Sequence, residues 1–253
     1  MATGRTVNRW ARVYADGYDL SGYTRTVGPL EWSFAEADVT APMSDGVRGV
    51  LPDTPTITVG AINAVYDNTA TSGLQAVMGG AGVARTIMVP IGIRAAPAAG
   101  DPVFVGVFAQ NDFMVQEDAG AMTANMQFGA WDATSLINYT KPWGVLLHAL
   151  SSASAANSSA GVDDRGAATT AGGYMVYQVT AGDGTATISI DDSADNSNWT
   201  ALSGATTGSI DCSTVKKGVV ALGIGATVRR YLRWQIALGT AGSVTFATAF
   251  VRI

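Results

Sequence analysis

The stretch GYMVYQVTAGDGTATISIDDS, residues 173–193, decides the fold class. Apolar side chains alternate with polar ones on both sides of Gly182-Asp183-Gly184, a turn sequence that joins antiparallel strands. The later segments NWTALSG, KKGVVALGIG, VRRYLRWQIALG and GSVTFATAFVRI have the same character, with a turn about every 8–12 residues. This spacing predicts an antiparallel β-sandwich over residues 173–253.

The preceding 150 residues also carry strand patterns. PLEWSFAEADVT alternates apolar and polar side chains as in a half-buried strand, and RTIMVPIGI and DPVFVGVFAQNDFMVQE are further candidates. YDNTATSGLQAVMGG differs, because Leu74, Val77 and Met78 follow helical spacing and two glycines end the pattern. We therefore expect a mainly β protein, with an N-terminal sandwich or barrel, one short flanking helix near 71–79, and a C-terminal antiparallel sandwich.

Residues 151–172 separate these two parts. The stretch is rich in Ala, Ser, Thr and Gly, and Val162 is its single large apolar residue. Such a segment buries too little surface to order itself, so we interpret it as a flexible linker. The predicted organisation is a domain over residues 1–150, a linker over 151–172 and a domain over 173–253.

The chain is poor in charge. Charged residues make up 14% of its 253 residues and hydrophobic ones 47%, whereas about 25% charged is typical of soluble domains. We expect part of this low-charge surface to be covered by copies of the chain. The net charge of −5 falls within residues 1–150, which hold 8 Lys and Arg against 13 Asp and Glu. Such a chain lacks the phosphate-neutralising patch of a nucleic-acid-binding protein.

Three aspartates occur close together in DDSADNSNW, at positions 191, 192 and 195. Counted from Asp191, the sixth residue is Asn196 and the twelfth is Leu202, where a helix–loop–helix calcium site needs Gly and Glu. A looser calcium site in a β loop stays open as an alternative. We interpret the segment as a wide hairpin loop, because short polar side chains bond their own backbone in turns.

The sequence offers little for catalysis. His148 is the one histidine and lies in an apolar run, which favours a structural role over that of a general base. With one histidine and with Cys212 as the one cysteine, no zinc site of familiar ligands can be assembled. No pair of carboxylates can be singled out for glycoside hydrolysis. We expect no enzyme activity, no cofactor and no metal. No run reaches the ~18 apolar residues of a membrane-spanning helix, so no membrane span is expected.

The segment TAPMSDGVRGVLPDTPT, residues 40–56, is too long for an ordinary hairpin turn. Loops of this length within a β domain are usually functional or disordered. This one keeps apolar Val47, Val50 and Leu51, which a fully solvated loop would not need. The segment is therefore a candidate functional loop.

Two parts of the chain resemble phage virion proteins. RVYADGYDLSGYTR, PLEWSFAEADVT, the long loop and TITVGAINAVYDN before the short helix resemble, in this order, the tail tube proteins of long-tailed bacteriophages. This resemblance covers roughly residues 5–140. TISIDDSADNSNWTAL and VRRYLRWQIALGTAGSVTFATAFVRI, within residues 173–253, are similar to a β-sandwich module common in phage virion proteins.

The first resemblance implies a subunit of stacked, hexameric rings that form the tail tube, the conduit for DNA ejection. DNA would pass through an acidic lumen without specific binding, and the second domain would decorate the outside. The long loop would contact a neighbouring subunit or ring, which makes these residues interface candidates: Pro42, Met43, Val47, Arg48, Val50 and Leu51. The expected partners are copies of the chain and other phage tail proteins, in a virion assembled in the host cytoplasm.

A decoration protein or an adhesive, carbohydrate-binding virion module is the alternative. Exposed aromatic side chains at Tyr174, Tyr177 and Tyr231 would then bind sugars. A glycan array separates the two hypotheses, because a tube subunit should bind no glycan reproducibly.

Overall fold

The protein is described by a computed structural model over residues 6–40, 48–93, 95–130, 141–164 and 166–253. Its secondary structure is almost entirely β. The first part contains a 3-10 helix at Asn8–Trp10, the helix α1 at Leu74–Met78, and the strands β1 (Tyr14–Ala15), β2 (Tyr18–Asp19), β3 (Thr24–Val27), β4 (Leu30–Asp38), β5 (Val50–Val65), β6 (Ala84–Pro90), β7 (Pro102–Asp118), β8 (Ala121–Ala130) and β9 (Trp143–Ala153). The second part contains β10 (Asn157–Ser158), β11 (Val162–Asp163), β12 (Gly173–Gly182), β13 (Thr185–Ser193), β14 (Thr200–Thr206), β15 (Ile210–Asp211), β16 (Lys216–Leu222), β17 (Tyr231–Leu238) and β18 (Val244–Arg252).

The strands form two antiparallel sheets. Within the described residues, the larger sheet has twelve strands and runs β16-β12-β18-β9-β7-β6-β1-β2; β8 pairs with β7 and β5, and β5 pairs with β3 and β4. The smaller sheet has six strands and runs β10-β17-β13-β14, with β11 on β17 and β15 on β13. The predicted mainly β class is confirmed, and α1 lies within the range expected for the helix.

The first core lies among the strands of the N-terminal part and under α1. Leu74, Val77 and Met78 of α1 are buried in it, as the helical spacing requires. Phe104 stacks on Phe108 with ring centroids 5.8 Å apart. Other members of the first core are Val13, Leu20, Ile57, Val59, Ile62, Ile87, Val89, Met126 and Phe128.

The second core lies between the two sheets of the C-terminal part. β13 and β17 turn alternate side chains inward, with the period of two expected of a sandwich strand. Its members include Leu147, Met175, Val179, Ile188, Ile190, Leu202, Leu232, Trp234, Ile236, Phe246 and Phe250.

A third, junction core joins the two parts. β12 and β18 are buried on both faces: Met175 and Phe246 face the second core, while Val176 and Ala247 face strands β6 and β7. Strands covered on both sides have nearly continuous apolar sequences, as in YMVYQV and TFATAFV. The junction core consists of Tyr14, Met88, Val103, Val105, Leu146, Tyr174, Val176, Ala247, Ala249 and Val251.

Buried polar groups also bridge the two parts. Gln178 on β12 accepts a hydrogen bond from the Gly17 N–H at 2.6 Å and donates one to the Thr86 carbonyl at 2.8 Å. Asp16, in the turn before β2, accepts from the Thr86 N–H at 2.9 Å and pairs with Lys217 of β16. Because an unsatisfied buried polar group costs about 1–3 kcal/mol, these bonds fix how the parts meet.

Residues 151–172, interpreted from composition as a flexible linker, are instead built into the sheets where the structure describes them. β9 continues to Ala153 beside β18, and β10 and β11 pair with β17. Arg252 Nε lies 2.6 Å from Asp164 Oδ2, and Arg252 also donates to the Val228 carbonyl. Composition did not predict this, because strand pairing and the Arg252 contacts, rather than burial of large apolar side chains, hold the segment in place. The division into two domains stays a prediction.

Candidate assembly surface

A two-stranded ribbon projects from the larger sheet. It is formed by β4 and the first half of β5, with Trp32 opposite Ile57. Within the described residues, β3 and β8 pair with β5 only from Val59 onward, so the ribbon has no third strand. We call residues 31–39 and 48–56 the arm. None of the side chains that the structure describes in the arm is buried. An isolated two-stranded ribbon is marginally stable in water, so the arm is a place where further contacts are expected.

One face of the arm continues the first core into solvent. Leu30 and Trp32 lie opposite Val59 and Ile57, and both of these β5 side chains are buried in the first core. Farther out, Trp32 and Phe34 are 36% and 46% exposed, with ring centroids 5.6 Å apart. Residues opposite each other in an antiparallel pair share a face. The row of apolar side chains on this face therefore extends beyond the end of the first core.

The predicted interface residues fall on the outer half of the arm or beyond the described residues. Val50 and Leu51 are 38% and 56% exposed, and Arg48 is exposed beside them. Pro42, Met43 and Val47 lie outside the described residues. The role of all six residues in assembly stays a prediction.

The arm is acidic. Arg48 lies 3.7 Å from a carboxylate oxygen of Glu36 and 3.6 Å from one of Asp38, with all three side chains exposed. Exposed pairs of this kind contribute little stability. Hydrogen bonds from the side chain and backbone N–H of Thr40 hold the pKa of Asp38 below its usual value, so Asp38 stays ionised. Against the single guanidinium, the arm carries four carboxylates: Glu31, Glu36, Asp38 and Asp53.

The arm has features that oppose pairing along its edges. Pro52 and Pro55 remove two N–H donors from β5. Proline and charged side chains are the usual means by which exposed strands avoid edge-to-edge association. The apolar face, rather than a strand edge, is therefore the part of the arm suited to contact another protein.

Trp32 and Phe34 are the surface residues that the sequence analysis missed. The alternation in PLEWSFAEADVT correctly predicts that they share a face with Leu30. It does not show where that face loses its cover, because this depends on where β3 and β8 stop pairing with β5. The signal available in the sequence was the presence of two aromatic residues on one strand, next to the candidate loop.

The aspartate segment is different from the predicted hairpin loop. Asp191 and Asp192 lie within β13 and are buried, and each pairs with an arginine next to or within β17. Asp191 Oδ2 is 2.8 Å from Arg233, and Asp192 Oδ1 is 3.1 Å from Arg229. The β13–β17 pairing places each acid beside a cation, which the sequence does not show.

Asp195 does form the predicted turn. It accepts hydrogen bonds from the N–H groups of Asn198 and Ser197 and from the Asn198 side chain, which hold its pKa far below the usual value. In the part of the chain that the structure describes, no group of three or more His, Cys, Asp or Glu residues could hold a metal ion.

His148 lies among aromatic rings of the second core. Its ring stacks on Phe246 at 4.2 Å and meets Trp234 edge-on at 4.3 Å. Nδ1 lies 3.0 Å from the Phe246 carbonyl and Nε2 lies 3.1 Å from Ser151 Oγ. Burial lowers the pKa of His148, so the ring is neutral near pH 7. These contacts agree with the predicted structural role.

The tyrosines of the sugar-binding alternative do not form an exposed aromatic surface. Tyr174 is fully buried in the junction core and donates a hydrogen bond to the Lys141 carbonyl at 2.5 Å. Tyr177 packs against the second core, and Tyr231 lies under Arg230. Burial raises the pKa of Tyr174 far above the usual range. The expectation that Tyr174 is exposed is wrong, because β12 is covered on both faces.

No protein-family profile matches the chain, and no curated protein matches it. Among solved structures, the chain is similar to the crystal structure of the phage SPP1 Dit protein (gp 19.1), described as a paradigm of the hub adsorption apparatus in phages that infect Gram-positive bacteria. The identity is 10% and the TM-score is 0.34, over 96% of this chain and 99% of that one. At this similarity, neither a shared fold nor a residue's role is transferred. In the described residues, no helix is long and apolar enough to cross a membrane.

Proposed function

We propose that this chain is a non-catalytic structural protein of a phage virion that assembles with copies of itself through the arm. The observation that carries the proposal is the apolar face that leaves the first core and stays uncovered at Trp32 and Phe34. Contiguous apolar surface rimmed by polar groups is typical of protein contacts. The resemblance of residues 5–140 to tail tube proteins supports this class of assembly.

More specifically, we propose a tail tube of stacked, six-membered rings that conducts DNA during ejection. The acidity of residues 1–150 supports a lumen that DNA crosses without specific binding. Other phage tail proteins would contact the ends of the tube. The virion would be assembled in the host cytoplasm.

The energy of the arm contact decides how assembly should proceed. Burying a fully exposed large apolar side chain contributes about 1.5–3 kcal/mol, and the side chains on the apolar face are only partly exposed, so three of them together contribute about 2–4 kcal/mol. Association costs about 4–15 kcal/mol in lost freedom of motion. One arm contact alone is therefore weak, and a subunit with two neighbours is needed for a stable particle. The three side chains are Trp32, Phe34 and Val50, which lies opposite Asp38 on the same face of β4 as Phe34.

The test compares three purified chains over a range of concentration by light scattering and negative-stain microscopy. The wild-type chain should form rings or tubes above a threshold concentration. Trp32→Ser with Phe34→Ser should remain monomeric, since the arm face loses its apolar rings. Ile224→Ser, which changes a side chain 91% exposed in the C-terminal part, is the matched control and should assemble like the wild type.

Two results would contradict the proposal. One is a wild-type chain that remains a monomer at every concentration reached. The other is normal assembly of the Trp32 and Phe34 variant, which would show that the arm face is not a contact.

A further inference from the structure

An apolar groove lies at the root of the arm, beside the 3-10 helix. Its volume is about 290 Å³. Val7 on its rim is 57% exposed and Val27 is half-buried, so much of the groove faces solvent. The apolar side chains that line it are Val7, Ala11, Val27, Leu30, Val89 and Ile91.

Arginines flank this groove. Arg9, Arg12 and Arg25 line the adjoining depression, which shares Asn8, Ala11 and Val27 with the groove. Arg25 pairs with Asp118 at 3.0 Å. Arg9 lies over the Trp10 ring at 4.4 Å, and Arg12 donates to the backbone carbonyls of Arg9 and Ala11 at 3.0 Å. The charges of Arg9 and Arg12 therefore rest against neutral groups and remain able to attract carboxylates.

The arm has the opposite character. It carries four carboxylates and one guanidinium around an apolar face. The groove presents an apolar floor beside three guanidinium groups. The two surfaces are therefore opposite in charge, and each has apolar area that the other could cover.

An arm cannot reach the groove of its own chain. Leu30 lines the groove, and β4 leaves it as an extended strand paired to β5. At about 3.3 Å per residue, the end of β4 lies roughly 26 Å from Leu30. The paired ribbon would have to fold back within two residues to bring Trp32 into the groove. An arm that occupies the groove must therefore come from another molecule.

We propose that the groove receives the apolar face of the arm of a second copy of this chain, with Arg9 and Arg12 beside the arm's carboxylates. This inference rests on the proposed function and adds the receiving surface to it. The contact joins two different surfaces, so it propagates from head to tail and gives a ring if it closes or a filament if it does not.

A mixing experiment tests the geometry. The arm variant carries Trp32→Ser with Phe34→Ser and keeps its groove. The groove variant carries Val7→Asp with Arg9→Glu, two exposed positions, and keeps its arm. Each variant alone should be monomeric in native mass spectrometry. An equal mixture, cross-linked at high protein concentration because a single contact is weak, should give a 1:1 dimer and nothing larger, since only one arm and one groove remain able to meet. Ile224→Asp is the matched control and should assemble fully. Circular dichroism of each chain checks folding.

Arg9→Glu alone leaves the groove floor unchanged. It should raise the protein concentration at which assembly begins at least tenfold.

The outcomes separate the two proposals. Normal assembly of the arm variant refutes the proposed function and this inference together. A monomeric arm variant with normal assembly of the groove variant refutes only the groove as receiver. Two monomeric variants that give no dimer on mixing refute the arm-to-groove contact, and contact between two arms is then excluded as well, because it would let the groove variant assemble.

Discussion

The continuous sheet and the junction core predict that the two parts of the chain unfold together. Ile87 and Met88 are neighbours on β6 and point to opposite faces, Ile87 into the first core and Met88 into the junction core. Ile188 on β13 lies in the second core. All three side chains are fully buried. Ile87→Ala, Met88→Ala and Ile188→Ala therefore place one cavity in each core.

The size of the effect follows from the burial of these side chains. Replacing a buried Ile or Met by Ala costs about 2–5 kcal/mol, because the cavity adds to the lost apolar burial. In a chain of this size, 1 kcal/mol shifts the melting temperature by about 2–4 °C. A cost of about 3 kcal/mol thus lowers the melting temperature by roughly 6–12 °C. If the chain is one cooperative unit, each variant should lower the same single transition by a similar amount.

Differential scanning calorimetry measures this directly. The substitutions are best made in the Trp32→Ser, Phe34→Ser chain, because self-association would itself shift the melting temperature. Two transitions in this parent chain, of which Ile87→Ala moves one and Ile188→Ala moves the other, would refute the reasoning. That result would instead support the predicted division into two domains.

Two further predictions concern buried ionisable groups. Because burial lowers the pKa of His148 below its ordinary 6.5, the unfolded chain binds the proton more readily, so stability should fall as pH drops through about 6.5. His148→Gln should reduce this loss between pH 8 and 5 in urea unfolding, and an unchanged slope would contradict it. Asp191→Ala leaves Arg233 unpaired in a mostly buried site and should cost about 3–5 kcal/mol. Asp191→Leu with Arg233→Met should cost less stability in the same assay. An equal or larger cost would show that the unpaired Arg233 does not cause the destabilisation by Asp191→Ala.

Local periodicity predicted the elements whose hydrophobic pattern fits only one type of secondary structure. The alternation in β13 and β17 and the helical spacing of Leu74, Val77 and Met78 each require one buried face, and the structure supplies it. These patterns depend on neighbouring residues along the chain, so the sequence contains what is needed to read them.

Long-range pairing explains what the sequence did not show. Apolar residues on both faces of β12 were visible, but the second surface that covers them, from β6 and β7, comes from residues 84–118. Likewise, Asp164 precedes its partner Arg252 by 88 residues. A segment of small polar residues resembles a linker until such a partner is known.

The candidate assembly surface could likewise be predicted only in part from the sequence. The long loop pointed to Arg48, Val50 and Leu51, and the structure places them on the arm. The exposed aromatic pair, Trp32 and Phe34, was assigned to a half-buried strand instead. The pattern of a strand is the same whether its apolar face meets its own core or that of another molecule.

The acidity and the prolines of the arm are best understood together with its apolar face. An uncovered apolar ribbon with free edges would associate with any similar strand. Pro52, Pro55 and the four carboxylates weaken such pairing, since edge donors are missing and like charges repel. Two arms would therefore repel each other, while a surface carrying Arg9 and Arg12 would attract either one. The features that keep the free chain from aggregating thus also select the partner, and raising the salt concentration should weaken assembly while increasing contact between arms.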